Sequence, residues 1–310
     1  MSNSWEAEVE VTIDQARLLI GNQFPELHPS RMDIIDYGFD NTVMKVNNDW
    51  VFRFPRRDIA VKLLETEGKL LPLLDEKSLG LRIPVPTFFG ESSPPYKWPF
   101  LGYRFVEGTI PSRAHEVVRE GKSALKMASF LKKLHLTDVS EAVKRGVPHD
   151  ELNRLDVKKR ISTLEKNIHE TEELNLFHQV EKLKDYLQHA PKKPLPSETT
   201  LVHGDLHFKN IVVNENGFLS GILDWGDVHI GHRAIDLNLV YSYLNPAGRK
   251  LFFEEYGEVE EVELEYARFK AIYTNVVLLL YGYHEKQPHT VAEAQKSLEL
   301  TLLRGTDLGE

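Results

Sequence analysis

The chain has 310 residues, 41% of them hydrophobic and 27% charged, enough to bury a sizeable core in one large or two smaller domains and too apolar for global disorder. Its formal charge of −9 argues against a general phosphate-backbone binder, so no nucleic-acid partner is expected. It contains no cysteine, which excludes disulfides, thiolate zinc sites and a cysteine nucleophile.

The opening residues, MSNSWEAEVEVTIDQ, are acidic and lack a basic flank followed by an apolar core, so no signal peptide is read there. The most apolar run, residues 276–283, is far shorter than the roughly 20 residues that span a bilayer. The expectation is a cytoplasmic protein without a membrane partner. In chain order, TIDQARLLIGNQF carries apolar residues at helical spacing behind a Thr12 cap. Two β-rich runs follow, broken at residues 47–49 (NND), a natural hairpin turn. AVKLLETEGKLLPLLDEK restores helical periodicity, and two more strands flank a Pro-rich turn at residues 93–95.

After Gly108 the pattern turns helical, through EGKSALKMASFLKKLHLTD, the long stretch 154–188, and ELEYARFKAIYTNVVLLLYGYHEK. The exception is LVHGDLHFKNIVVNENGFLSGILDWGD, residues 201–227, which reads as a small hairpin with NENG at its tip and an extended PKKPLP connector before it. The expected fold class is α+β and two-lobed. An N-terminal antiparallel-sheet lobe (residues 1–107) would be joined, through a connector near residues 104–110, to a larger helical C-terminal lobe (residues 108–310).

Spacing gives residues 201–227 a chemistry. Asp205 precedes Asn210 by five residues and Asp224 by nineteen, with the hairpin between them. A hairpin returns its second strand beside its first, so Asp224 can end near Asn210. Their hard oxygens suit Mg²⁺ held together with substrate phosphates, which leaves Asp205 to take a proton from a hydroxyl. That division of labour is the kinase arrangement, in which positioning and charge neutralisation carry the rate. A rival reading comes from GDLH (residues 204–207) and GDVH (residues 226–229), which resemble the Asp-x-His ligand motifs of calcineurin-like metallophosphoesterases. Those sites need a later Asn-His pair, and no NH dipeptide follows.

HGDLHFKN…ILDWGD…AIDL resembles the core of the aminoglycoside phosphotransferase family, with its HGDLHxxN and DxGD…D motifs. ALKMASFLKKLHLTD is similar to that family's FLxxLHxxD helix, so the resemblance runs over most of the chain. WVFRFPRR is similar to a strand of macrolide 2′-phosphotransferases, and FLGYRFVEG to the connector of the 2″-aminoglycoside kinases. The resemblance implies a protein-kinase-like fold with Asp205 as catalytic base and Asn210 and Asp224 as Mg²⁺ ligands. His203 and Asp236 would brace the loop, His207 would satisfy loop backbone groups or line the cleft, and Asp227 would steady the metal loop or touch substrate.

A kinase also needs a cation on the nucleotide phosphates, usually a strand Lys held by a helix Glu. The strand here offers Arg53, with Glu67 fourteen residues on, an offset that matches the family's spacing. A guanidinium grips phosphate bidentately but does not imitate an ammonium. The plainer alternative has Arg53 pairing with Glu67 alone, and Lys45 and Lys62 are the other candidate cations. The preceding turn, DYGFDNTV, contains Gly38 and lacks any Walker or GxGxxG pattern; Asn41 and Thr42 could donate to a phosphate or simply complete a hairpin. The resemblance further implies that the connector at Phe105 and Val106 would meet a purine edge with backbone groups.

Substrate selection falls to the helical lobe. Seven glutamates between Glu254 and Glu265 read either as a solvated helix face or as a wall attracting a polyamine-like substrate. IYTNVVLLLYGYHE reads as core or as the lining of an apolar cleft. The expected enzyme is a small-molecule kinase using ATP or GTP with Mg²⁺, acting on a macrolide or aminoglycoside antibiotic, as a monomer or weak dimer. The alternatives are a metabolite kinase of the same fold (choline, homoserine or sugar type) and a non-catalytic nucleotide-binding protein.

Overall fold

A computed structural model describes residues 8–37, 40–94 and 96–303. The chain divides into two compact units: one takes residues up to Ser78, Ile83–Val106 and Asp224–Asp227, and the other takes Leu79–Arg82, Glu107–Leu223 and the chain from Val228 onward.

The first unit begins with α1 (Ile13–Gln23), whose Thr12 and Gln15 form a reciprocal capping box. It continues through β1 (Met32–Tyr37), β2 (Asn41–Val46), β3 (Trp50–Pro55), α2 (Asp58–Glu76), β4 (Pro86–Gly90) and β5 (Phe100–Arg104). The strands form one sheet in the order β1-β2-β3-β5-β4, every neighbouring pair antiparallel. The NND hairpin joins β2 to β3 as expected, with Asn47 and Asn48 in the left-handed region that Asn tolerates. Asn47 also ties this hairpin to the chain just before β1. Its amide donates to the Leu27 carbonyl at 2.7 Å, and its oxygen accepts from the N–H groups of Ser30 and Arg31 at 3.1 Å.

Strand β3 is buried on both faces, which decides what its alternating side chains do. Phe52 and Phe54 enter an apolar core with Ala16, Leu19 and Ile20 of α1 and with Phe100 of β5. Arg53 points to the opposite face, toward α2. Gly102 lies in register with Phe52, and a Cβ there would stand 2.4 Å from the Phe52 ring, so the close approach requires glycine.

The second unit contains α3 (Lys122–His135), α4 (Val139–Lys144), α5 (Val157–Glu173) and α6 (Val180–Gln188), then β6 (Thr200–Val202), β7 (Ile211–Val213), β8 (Leu219–Ile222) and β9 (His229–Gly231). It closes with α7 (Ala234–Tyr243), α8 (Pro246–Tyr256), α9 (Glu261–His284) and α10 (Pro288–Leu302). Helices α5, α6, α9 and α10 share one core through Leu164, Ile168, Leu183, Ile272, Val276 and Leu298. The single helical pattern expected over residues 154–188 is corrected to two helices. Asn175 turns left-handed just after α5, and Phe177 buries in the core before α6 begins.

The expected hairpin is β7–β8, with Gly217 at positive φ in its NENG tip. A second ladder that the sequence did not reveal, β6 paired antiparallel with β9, encloses it. Loop 203–210 therefore leaves one ladder and enters the other. PKKPLP forms neither helix nor strand and bends at Lys193. Among the described residues no helix is long and apolar enough to cross a membrane.

Candidate active site

Loop 203–210 is pinned at its start by one carboxylate. Asp236, fully buried on α7, accepts from the His203 N–H at 2.8 Å and the Gly204 N–H at 2.9 Å. His135 of α3 stands 3.2 Å from the same carboxylate, and its other ring nitrogen is 2.7 Å from the Tyr256 hydroxyl. Burial opposes the charge on Asp236, but His135, His203 and the Gly204 N–H outweigh it and hold the carboxyl below its ordinary range. The His203 ring spans the hairpin base, with Nε2 2.9 Å from the Leu223 carbonyl and Nδ1 accepting from the Asp205 N–H at 3.3 Å. That pairing assigns the Nε2–H tautomer. His203 and Asp236 are braces, as the sequence reading expected.

Asp205 sits at the centre of a second network. Its Oδ2 lies 3.2 Å from His207 Nε2 and accepts from Asn210 Nδ2 at 3.1 Å; the same amide donates to the Asp205 carbonyl at 2.9 Å. His207 Nδ1 accepts from the Lys209 N–H at 3.2 Å, so this ring both closes the loop backbone and faces the acid. Burial raises the Asp205 pKa, but His207, then Lys270 and His203, outweigh it and hold the carboxyl well below the usual carboxylate range. Asn210 spends its nitrogen on Asp205, which leaves Oδ1 as the amide's acceptor. Its carbonyl takes the Leu223 N–H at 2.8 Å, which ties the loop to the end of β8.

In the sheet unit, Arg53 and Glu67 form an ion pair at 2.5 Å, with their side chains 10% and 3% exposed. The other end of the guanidinium lies 3.6 Å from Asp224, which is 58% exposed and adopts a left-handed backbone. Burial disfavours the charge on Arg53, but Glu67 and Asp224 outweigh it and raise its pKa. Burial pushes the Glu67 carboxyl up to about 7, against Arg53 and with help from Asp224 and Asp227. One Glu67 oxygen, Oε1, is buried without a hydrogen-bond partner. Asp40 is likewise raised, by burial first and then by Asp224 and Asp227, although Arg57 stands 3.4 Å from it.

The other candidates sort out by position. Lys45 lies over the Phe105 ring at 3.8 Å and Lys62 is exposed on α2, so neither joins the buried Arg53–Glu67 pair. Asn41 and Thr42 are buried in β2. Gly38 lies outside the described residues. Phe105 donates its N–H to the Asp49 carbonyl at 2.7 Å, and Val106 is buried. Of the seven glutamates, Glu263 points inward: it grips Arg233 through two contacts of 2.8 and 2.7 Å and caps α9 together with Glu260. Sequence periodicity missed that inward role, and it missed His135 and Lys270, whose relation to the loop is purely tertiary.

Asn210, in the helical unit, has an amide oxygen and Asp224, in the sheet unit, an exposed carboxylate, each the kind of oxygen donor a hard divalent cation takes. Among the described residues no group of three or more His, Asp or Glu side chains could hold a metal, the kind of cluster a dinuclear hydrolase site requires.

An antiparallel-sheet unit with a buried Arg–Glu pair, and a helical unit with a braced Asp–His–Asn loop, define a kinase-like small-molecule phosphotransferase. The chain belongs to the phosphotransferase enzyme family, whose pattern matches residues 33–272. Among solved structures, the GDP complex of wild-type aminoglycoside 2′-phosphotransferase-IIIa is 27% identical with a TM-score of 0.65, covering 94% of this chain and 99% of that one. The macrolide 2′-phosphotransferase MphH from Brachybacterium faecium has the same fold at 19% identity and a TM-score of 0.61, covering 92% and 98%. A curated relative described as uncharacterized, YcbJ of Bacillus subtilis (strain 168), is 22% identical over 271 residues, 77% of this chain and 83% of its own length.

Proposed function

We propose that the enzyme transfers the γ-phosphoryl group of ATP or GTP to a hydroxyl of a small molecule. The observation that carries this reading is the Asp205 carboxylate, oriented by His207 and Asn210 in a loop braced from α7. The acceptor oxygen would attack the γ-phosphorus, the bond to the bridging oxygen would break, and the nucleoside diphosphate would leave. Asp205 would take the acceptor's proton. A carboxylate held firmly ionised is a weak base, which suffices where phosphoryl transfer is loose and the proton moves late.

Arg53, steadied by Glu67, would grip the nucleotide phosphates, with Gly38 in the covering turn and the backbone at Phe105 and Val106 meeting the purine edge. Asn210 and Asp224 would hold Mg²⁺, which would neutralise charge on the phosphates. Residues 1–107 would act as the nucleotide lobe and 108–310 as the acceptor lobe, in a cytoplasmic monomer or weak dimer.

Similarity to the aminoglycoside 2′-phosphotransferase supports an antibiotic acceptor of the aminoglycoside class, and the macrolide alternative rests on the resemblance of the strand WVFRFPRR. The second reading is a metabolite kinase of the same fold. A coupled nucleotide-consumption screen over macrolides, aminoglycosides and hydroxylated metabolites, run with ATP and with GTP, tests the proposal. Acceptor-dependent release of diphosphate is expected. Nucleotide binding with no release of diphosphate, with or without acceptor, would leave nucleotide binding as the function.

A further inference from the structure

The ends of four helices meet at the brace of the catalytic loop. His135 closes α3, Tyr256 closes α8, Arg233 is the N-cap residue of α7, and Glu263 stands in the first turn of α9. With Asp236, in the first turn of α7, their side chains form one hydrogen-bonded series. Glu263, Tyr256 and Asp236 are buried, and the His135 side chain is 5% exposed. Of the seven glutamates between Glu254 and Glu265, Glu263 alone is buried.

The direction of every hydrogen bond in the series follows from its members' chemistry, since a guanidinium only donates and an ionised carboxylate only accepts. Glu263 accepts from Arg233 Nε at 2.8 Å and Nη2 at 2.7 Å and takes the Glu260 N–H at 2.9 Å, with His232 Nε2 3.4 Å away. The Arg233 guanidinium, 5.9 Å from the centre of the Tyr256 ring, also hydrogen-bonds the Tyr256 hydroxyl. With its oxygen taking that donor, the hydroxyl gives its proton to His135 Nδ1, 2.7 Å away. His135 then carries its own proton on Nε2, which faces Asp236 Oδ2 at 3.2 Å. The other tautomer would set a bare ring nitrogen against an ionised carboxylate. Oδ2 is also the atom that accepts the His203 N–H, while Oδ1 takes that of Gly204. The His135 donor therefore fixes the rotation of the carboxylate that holds the two residues immediately before Asp205.

We infer that Tyr256, Arg233 and Glu263 are positioning residues for phosphoryl transfer, acting on Asp205 through His135 and the Asp236 carboxylate. This rests on the phosphoryl-transfer reading with Asp205 as base. A purely structural junction would lose stability alone when one of its hydrogen bonds is removed. A positioning series loses kcat at unchanged nucleotide KM and loosens the amides of the loop itself.

Tyr256→Phe keeps the ring, which stacks on Phe252 at 5.2 Å, and removes only the hydroxyl. Glu263→Gln keeps the shape of the other end. Both, with Asp236→Asn and the paired variants, are compared with wild type by diphosphate release over macrolides, aminoglycosides and hydroxylated metabolites, and by amide hydrogen exchange of the free protein. Tyr256→Phe is expected to lower kcat roughly 10-fold at unchanged nucleotide KM. Exchange at His203 and Gly204 should quicken about 10-fold more than at Leu164 and Ile168 of α5, which marks local loosening apart from general instability. In the Asp236→Asn background, Tyr256→Phe should lower kcat little further, since one side chain carries both effects. Full kcat in Tyr256→Phe and Glu263→Gln, exchange that rises equally at all four amides, or effects that multiply in the Asp236→Asn pair would overturn the inference. A wild type that releases no diphosphate with any acceptor would instead sink the phosphoryl-transfer reading, and the exchange rates would still decide whether the brace depends on Tyr256.

Discussion

Arg53 of β3 and Glu67 of α2 meet at 2.5 Å, and the same guanidinium reaches within 3.6 Å of Asp224. One planar fork thus serves a sealed carboxylate with one arm and an exposed one with the other. A lysine ammonium is a point charge on a flexible stem and does not divide its donors in that fixed way. The substitution of Arg for the usual Lys is therefore matched by its surroundings.

Removing that fork should cost stability. Arg53→Ala leaves Glu67 buried without its partner, a change worth about 3–5 kcal/mol. Arg53→Lys should recover much of that loss while weakening nucleotide affinity. Urea denaturation and nucleotide calorimetry on the two variants check both halves. An Arg53→Ala protein as stable as wild type would show that Glu67 is protonated and self-sufficient.

The raised Glu67 carboxyl gives a pH signature. Its folded-state pKa, about 7, lies above the ordinary 4.5, so the folded state holds a proton that the unfolded state releases first. The stability this group contributes is full below pH 4.5 and is lost as pH rises toward 7. Glu67→Gln should flatten that decline between pH 4.5 and 7, read as the denaturation midpoint against pH. Parallel profiles for the two proteins would mean that Arg53 keeps Glu67 ionised throughout.

If Asp205 is the base, as proposed, Asp205→Ala should lower kcat by on the order of 10²–10⁴-fold while sparing nucleotide affinity. Steady-state kinetics with any working acceptor, beside nucleotide titration, separates the two effects. Unchanged turnover would remove Asp205 from the role of base.

Much of this site was legible because its parts are local in sequence. Asp205, Asn210 and the NENG turn lie within thirteen residues, and a turn composition fixes how such a segment folds back. Arg53 and Glu67 were legible through their spacing across one strand–helix step. What stayed hidden depends on distant partners. The β6–β9 ladder joins three-residue strands too short to carry a periodic signal. Glu263 reads as one more exposed helix acid until Arg233 is placed beside it. Nothing local marks Lys270 as a neighbour of Asp205, because that relation exists only once α9 has packed.

Asp236→Ala should strand the His203 and Gly204 N–H groups, at about 1–3 kcal/mol each. If Asp236 works by positioning, kcat should fall further than this loss of stability explains, with nucleotide KM little changed. Asp236→Asn, which keeps one acceptor, should restore part of kcat. A variant that loses stability but keeps full kcat would make the residue purely structural.

The brace also sets an order of events in the making of the protein. Asp236 follows the two N–H groups it holds by 33 and 32 residues. Closing a loop of that length costs roughly 3 kcal/mol, a sum the flexible loop cannot recover until α7 has found its place in the helical core. On the ribosome, the segment bearing Asp205 emerges first and waits, without its anchor, for chain still to be made. The loop's shape is thus acquired late in synthesis, and a chain halted before α7 would carry every residue of the loop without the carboxylate that pins it.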